Sequence, residues 1–151
     1  MQRGDVVPDF PATDQHGTTV QFHELLHAGP AVVFFYPKAF TTGCTKESCH
    51  FRDLAGEFAE LGAQRIGVSA DSVDNQARFD DEHKLGYPLL SDPDKTIAKI
   101  FGVKRMGPLM NKRSTFVVDT DGTVLAVIAS EMNMDVHADE ALEVLRARVA
   151  Q

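Results

Sequence analysis

The stretch Ala31-Val32-Val33-Phe34-Phe35-Tyr36-Pro37-Lys38-Ala39-Phe40-Thr41-Thr42-Gly43-Cys44-Thr45-Lys46-Glu47-Ser48-Cys49 holds both cysteines of the chain. Its apolar run, Ala31 to Tyr36, reads as a buried strand, and Gly43 to Glu60 reads as a helix, so Cys44 falls at a strand-to-helix junction. Free backbone N–H groups and the positive dipole end of a helix stabilise an anion there, drawing a cysteine pKa from about 8.5 toward roughly 3.5–7.5. Only the thiolate is a nucleophile. The competing reading is a packing cysteine, but Thr41, Thr42, Gly43 and Thr45 make the neighbourhood polar and hydrogen-bonding.

Cys49 follows five residues later. On a helix that spacing means about 7.5 Å of rise and about 140° of rotation, which puts the Cα atoms roughly 8–9 Å apart. A disulfide needs them within about 7 Å. If the two pair, the first turns of the helix must unwind, and oxidation is coupled to a local loss of order.

Outward from this stretch the chain alternates. Pro11 to Phe22 carries a turn at Asp14-Gln15-His16-Gly17 that predicts a hairpin, followed by a short helix over Phe22 to His27. Arg65 to Ser69 is a short apolar strand. Ser72 to Lys84 is a polar helix with Ser72 as its cap, and Asp94 to Phe101 is another short helix. Thr115 to Val118 and Thr123 to Ile128 flank Asp119-Thr120-Asp121-Gly122, a strong hairpin signal, and Ala138 to Val149 closes as an amphipathic helix. Gly102 to Lys112, with Met106, Leu109 and Met110, reads as an irregular loop beside the site. Periodicity alone gives an α/β class.

At 151 residues and 43% hydrophobic, with no repeat, low-complexity tract or shift in composition, the expectation is one domain over residues 1–151. A net charge of −7 disfavours nonspecific attraction to nucleic acid or anionic lipid. Met1 to Phe10 has neither a basic start nor an apolar core, and no run approaches the ~20 apolar residues of a membrane span, so a cytoplasmic protein is expected. Two cysteines in a reducing compartment are more often catalytic or metal-binding than structural.

The motifs then carry a family resemblance. Pro37-x-x-x-Thr41-x-x-Cys44 resembles the peroxiredoxin signature, and Gly43-Cys44-Thr45-Lys46-Glu47-x-Cys49-x-Phe51-Arg52-Asp53 is similar to the bacterioferritin comigratory protein, or peroxiredoxin Q, branch. Gly67-Val68-Ser69-Ala70-Asp71-Ser72, Tyr87-Pro88-Leu89-Leu90-Ser91-Asp92 and Arg113-Ser114-Thr115-Phe116-Val117-Val118-Asp119 resemble later segments of the family, in the family's order. Ala39, Phe40 and Thr42 depart from the branch, and Ala39-Phe40-Thr41 is similar instead to the one-cysteine, AhpE-like peroxiredoxins.

The resemblance implies a thioredoxin-like fold, with a central mixed sheet flanked by helices and an N-terminal hairpin extension. It also implies a thiol peroxidase that works without metal, haem or flavin. By carry-over, Cys44 is the peroxidatic nucleophile, and Arg113 keeps it ionised and donates to the peroxide. Thr41 offers a hydroxyl and N–H, Pro37 shields the thiolate, and Cys49 resolves the Cys44 sulfenic acid as an intramolecular disulfide. The implied partners are a hydroperoxide and a thioredoxin-like reductant, with no nucleic acid or membrane, and the chain is a monomer or weak homodimer. Read without the resemblance, Arg113 is one of four basic residues with Lys104, Arg105 and Lys112, and Thr41 is a helix cap.

Other classes fit less well. A disulfide oxidoreductase would use Cys-x-x-Cys, which the chain lacks, and a zinc site drawn from Cys44, Cys49, His50 and a further histidine has no pair of cysteine ligands at that spacing. A one-cysteine cycle with an external resolving thiol, and a noncatalytic peroxide sensor or holdase, use the same Cys44 chemistry and stay open at this level.

Overall fold

Every residue of β3 (Ala31–Phe35) is buried, and strand alternation divides them between two cores. Ala31, Val33 and Phe35 join one cluster with Phe10, Phe22, Ile97 and Phe101. Val32, Phe34 and the following Tyr36 join the other with Phe51, Phe58, Phe79 and Leu142. A strand covered on both faces is the centre of a sheet held between helical layers. The computed structural model, which describes residues 1–105 and 111–149, has that architecture.

The sheet has seven strands in the order β2-β1-β5-β4-β3-β6-β7. β1 (Pro11–Thr13) and β2 (Thr19–Gln21) form the antiparallel N-terminal hairpin. β3, β4 (Gln64–Ser69) and β5 (Leu89–Ser91) are parallel, while β6 (Ser114–Val118) and β7 (Val124–Ala129) extend the sheet antiparallel on the other side of β3. α1 (Phe22–Leu26) and α5 (Thr96–Phe101) cover one face. The other face carries α2 (Thr42–Asp53), α3 (Ala55–Glu60), α4 (Val73–His83) and α6 (Asp135–Val149). This is the expected mixed, thioredoxin-like α/β sheet with a hairpin extension.

Aromatic packing fixes α2 on the sheet. The rings of Phe34 and Phe51 stack with centroids 4.1 Å apart, and burying each such side chain contributes about 2–3 kcal/mol. Gly67 on β4 leaves room for the Phe34 and Tyr36 rings, since a Cβ there would sit 3.1 Å from both Phe34 Cζ and Tyr36 Cε1.

The predicted hairpins form as expected, and Ser72 caps α4 by accepting from the Asn75 N–H at 3.2 Å. Three elements differ. The helix expected to run from Gly43 to Glu60 is interrupted at Leu54, whose backbone leaves helical geometry (φ −94°, ψ 19°). Just before the break, the Arg65 guanidinium takes the Phe51 carbonyl at 2.9 Å and competes with the next helical N–H. Leu89–Ser91 is a strand too short to stand out in the sequence, recruited by pairing with β4 and β1. α6 starts at Asp135, ahead of the expected Ala138, because the Asn133 side chain accepts the Asp135 N–H and opens the helix earlier. Met106, Leu109 and Met110 of the expected loop lie outside the described residues.

The topology positions the site. Phe35 at the end of β3 is paired with Ser114 at the start of β6, so Arg113 lies one position beyond the strand ends, where the chain turns through residues 36–41 into α2.

Candidate active site

The loop between β3 and α2 is held from beneath by a buried polar network. The Ala39 N–H donates to Asp71 Oδ2 at 2.8 Å, and the Ser69 hydroxyl donates to the same oxygen at 2.7 Å. Gln76 Nε2 donates to Ser69 Oγ at 3.0 Å, and the Tyr36 hydroxyl donates to Gln76 Oε1. Burial pushes the Tyr36 phenol far above its ordinary range and keeps it a neutral donor. Phe40, next in the loop, adopts a left-handed backbone (φ 67°), costing on the order of 1–3 kcal/mol for a residue with a Cβ. Its half-exposed ring meets Phe79 edge-on with centroids 5.3 Å apart.

Thr41 takes the N-cap position of α2 but does not cap it. Its hydroxyl donates to the Lys38 carbonyl at 2.8 Å, closing the loop, and the first helical bond runs from the Thr45 N–H to the Thr41 carbonyl. The N–H groups of Thr42, Gly43 and Cys44 precede that bond and form the positive end of the helix. Pro37 is half-buried at the opposite end of the loop.

Cys44 lies in this first turn with no exposed surface. Arg113, 7% exposed, donates through Nη2 to Cys44 Sγ at 3.4 Å and through Nη1 to Glu47 Oε1 at 2.8 Å. Gly43 makes the approach possible, since a Cβ there would come within 3.3 Å of Arg113 Nη2 and 3.4 Å of Met134 Sδ. Glu131 accepts the Arg113 backbone N–H at 3.1 Å and pairs with Arg105 at 2.8 Å, fixing the arginine from behind. Although burial pulls the Arg113 guanidinium down, Glu47 and Cys44 outweigh it and raise its affinity for its proton.

Glu47 is fully buried, and burial pushes its carboxyl up to about 8 against the pull of Arg113. Its Oε2 has no hydrogen-bond partner among the described residues and lies 3.6 Å from His137 Nε2. His137, fully buried on α6, is held by Thr115 Oγ1 at Nδ1 (2.8 Å) and by the Ser130 carbonyl at Nε2 (2.9 Å). Burial lowers its pKa.

The structure thus brings Cys44 and Arg113 together at the end of the Pro37–Thr41 loop. It does not bring Cys49 to Cys44. Both are free thiols on the unbroken helix α2, and Cys49 is half-buried against the core with its thiol pushed up by burial. Glu47 and His137 escaped the sequence reading of the site. Glu47 had a signal, one helical turn after Cys44. His137 had none, because it reaches the cluster from α6 through tertiary packing.

A buried sulfur at a helix start, with an arginine forked between it and a carboxylate, is equipped to hold a thiolate and to donate to an anion forming beside it. Known proteins are similar to this chain over most of its length. The AhpC/TSA family model matches residues 3–127. The crystal structure of the peroxidoxin BcpB from Mycobacterium tuberculosis is 57% identical and superposes with a TM-score of 0.94, covering 97% of each chain. A bacterioferritin comigratory protein from Xanthomonas campestris, whose structures concern alkyl peroxide reduction, is 32% identical with a TM-score of 0.82, over 92% of this chain and 91% of that one. The chloroplastic peroxiredoxin Q of Gentiana triflora is 37% identical over 149 residues, 97% of this chain and 68% of that protein. The chain belongs to the AhpC/TSA family, in its peroxiredoxin Q branch.

Proposed function

We propose that this thiol peroxidase reduces hydrogen peroxide and organic hydroperoxides through Cys44. The observation that carries the reading is the Arg113 guanidinium bridging Cys44 Sγ and Glu47 Oε1 over a buried sulfur. The Cys44 thiolate attacks the terminal oxygen of ROOH as the O–O bond breaks. The sulfur is oxidised to the sulfenic acid, and RO⁻ leaves with the electron pair and takes a proton to become ROH. Arg113 donates to the oxygens as charge moves onto them, the kind of stabilisation whose loss costs about 10²–10³ in rate. The loop from Pro37 to Thr41 screens the thiolate from water and offers the Thr41 hydroxyl oxygen.

The Cys49 thiol then condenses with the sulfenic acid, releasing water and forming the disulfide. A dithiol reductant of the thioredoxin class reopens it by exchange, so that each cycle consumes one ROOH and one dithiol and yields ROH, water and a disulfide. Both thiols and the Arg113 guanidinium lie on one chain, so the peroxide and disulfide steps need no second copy, in keeping with a single-domain monomer or weak homodimer. The reducing cytoplasm suits its two free thiols. No described helix is long and apolar enough to cross a membrane.

The one-cysteine cycle is a second reading with its own observation: Cys49 stays on the same intact helix as Cys44. Turnover with thioredoxin, thioredoxin reductase and NADPH separates the two. We expect steady peroxide consumption by the wild type, none by Cys44→Ser and a single turnover by Cys49→Ser. Steady turnover by Cys49→Ser would assign resolution to an external thiol, and activity in Cys44→Ser would overturn the site.

A further inference from the structure

Four ionisable groups meet in the interior: Cys44, Arg113, Glu47 and His137, linked by contacts of 3.4, 2.8 and 3.6 Å. Arg113 is a permanent cation with two acidic neighbours. One positive charge balances one negative charge, so in a neutral cluster Cys44, Glu47 and His137 hold a single proton among them. If it stays on sulfur, Cys44 is a poor nucleophile. If it lies on Glu47 or His137, Cys44 is a thiolate at no net charge cost to the interior.

The geometry points to His137 and Glu47 as a buried proton-holding pair that keeps Cys44 ionised, which makes His137 a positioning residue although it touches neither Cys44 nor substrate. This inference rests on Cys44 being the peroxide nucleophile. The orphaned Glu47 Oε2 faces His137 Nε2, so the carboxyl has one side on Arg113 and the other on the imidazole. His137 in turn has an acceptor at each nitrogen, Thr115 Oγ1 and the Ser130 carbonyl, so it can carry the proton without leaving an N–H unpaired. Within the neutral cluster the transfer is internal, from Cys44 Sγ to the Glu47–His137 pair; in acid the cluster takes a second proton from solvent, which returns Cys44 to the thiol, and that uptake is the thiolate transition a pH titration reads. Other charged groups acting on the pair are Glu131 behind Arg113 and Glu140 on α6, both favouring a protonated His137, while Arg113 itself disfavours it.

Opposite effects of two substitutions test this. In a Cys49→Ser background, only Cys44 contributes thiolate ultraviolet absorbance, which is followed from about pH 4 to 9 together with the single-turnover rate with hydrogen peroxide. His137→Gln keeps a polar side chain but cannot take the proton, and we expect the thiolate transition to move to higher pH by about half a unit. Glu47→Gln removes the competing acid, and the transition should move to lower pH. Loss of packing alone would not move the two in opposite directions. Histidine NMR on the Cys49→Ser protein covers the case of a variant that does not fold: the His137 ring should shift through the same pH range as the thiolate transition, and this response should vanish in Cys44→Ser. An unmoved thiolate profile in a folded His137→Gln, shifts of the same sign in both variants, or a His137 ring indifferent to Cys44 ionisation would overturn the proposal. If peroxide leaves Cys44 unoxidised at every pH, the failure lies with the nucleophile reading itself.

Discussion

Replacing Tyr87 with Phe should speed the closing of the Cys44–Cys49 disulfide. The two Cα atoms are roughly 8–9 Å apart on an intact helix, beyond the about 7 Å a disulfide spans, so α2 must open between them before sulfur reaches sulfur. A tertiary hydrogen bond opposes that opening. The buried Tyr87 hydroxyl donates to the Ser48 carbonyl at 2.7 Å, one residue short of Cys49. Past Cys49 the helix is anchored three more times: His50 to Asp139 at 2.8 Å, the Phe51 carbonyl to Arg65 at 2.9 Å, and Arg52 to the His83 carbonyl at 2.7 Å. Unwinding from the N-terminus first draws Cys44 and Glu47 off Arg113, then meets the Tyr87 bond, and stops at the later anchors. A neutral hydrogen bond of this kind contributes about 1 kcal/mol, and its loss should raise the open population, and with it the rate of disulfide formation, by about fivefold. Rapid-quench mass spectrometry after one equivalent of peroxide follows the conversion of sulfenic acid to disulfide. Amide exchange over residues 43–49 of the reduced protein should quicken in parallel. A disulfide rate unchanged or slowed in Tyr87→Phe, with the fold intact, would refute the reasoning that local unwinding gates resolution.

Other changes reach other parts of the site. Arg113→Lys keeps a charge but cannot fork between Cys44 and Glu47, and the rate of Cys44 oxidation by peroxide should fall about 10²–10³-fold in stopped-flow assays. Asp71→Ala leaves the Ala39 N–H and the Ser69 hydroxyl without their acceptor and should lower stability by about 2–3 kcal/mol and slow Cys44 oxidation, whereas Asp71→Asn, which keeps one acceptor oxygen, should recover most of both in denaturant titration and kinetics. Glu47 is held above its unfolded value of 4.5, at about 8, so the folded state binds its proton more tightly. The resulting stability is complete below about pH 4.5 and is lost as pH rises through about 8. Chemical denaturation of Glu47→Gln should show a flatter loss over that window than the wild type.

The parts of the architecture written in short-range pattern were legible in the sequence: the buried run Ala31–Tyr36, the Asp119–Gly122 turn, the Ser72 cap and the strand-to-helix placement of Cys44. What escaped depended on distant partners. Leu89–Ser91 becomes a strand only because β4 and β1 flank it, and α2 breaks at Leu54 where Arg65 from β4 competes for a helical carbonyl. Arg113 looked like one surface cation among four until the family motif singled it out. The fold explains the choice, because the Phe35–Ser114 register carries Arg113 alone of the four to Cys44. His137 lies 22 residues from Thr115 in sequence and could be linked to the site only through packing.

The central claim is that Cys44 takes the oxygen and Cys49 removes it, and intact mass with a free-thiol count after one equivalent of peroxide tests it most directly, on wild type and Cys49→Ser. The account predicts a wild type that loses two hydrogens and both thiols and retains no oxygen, beside a Cys49→Ser protein that holds one oxygen on Cys44. A wild type that keeps the oxygen adduct and its second thiol would contradict resolution by Cys49, and a wild type unchanged by peroxide would contradict the peroxidase site as a whole.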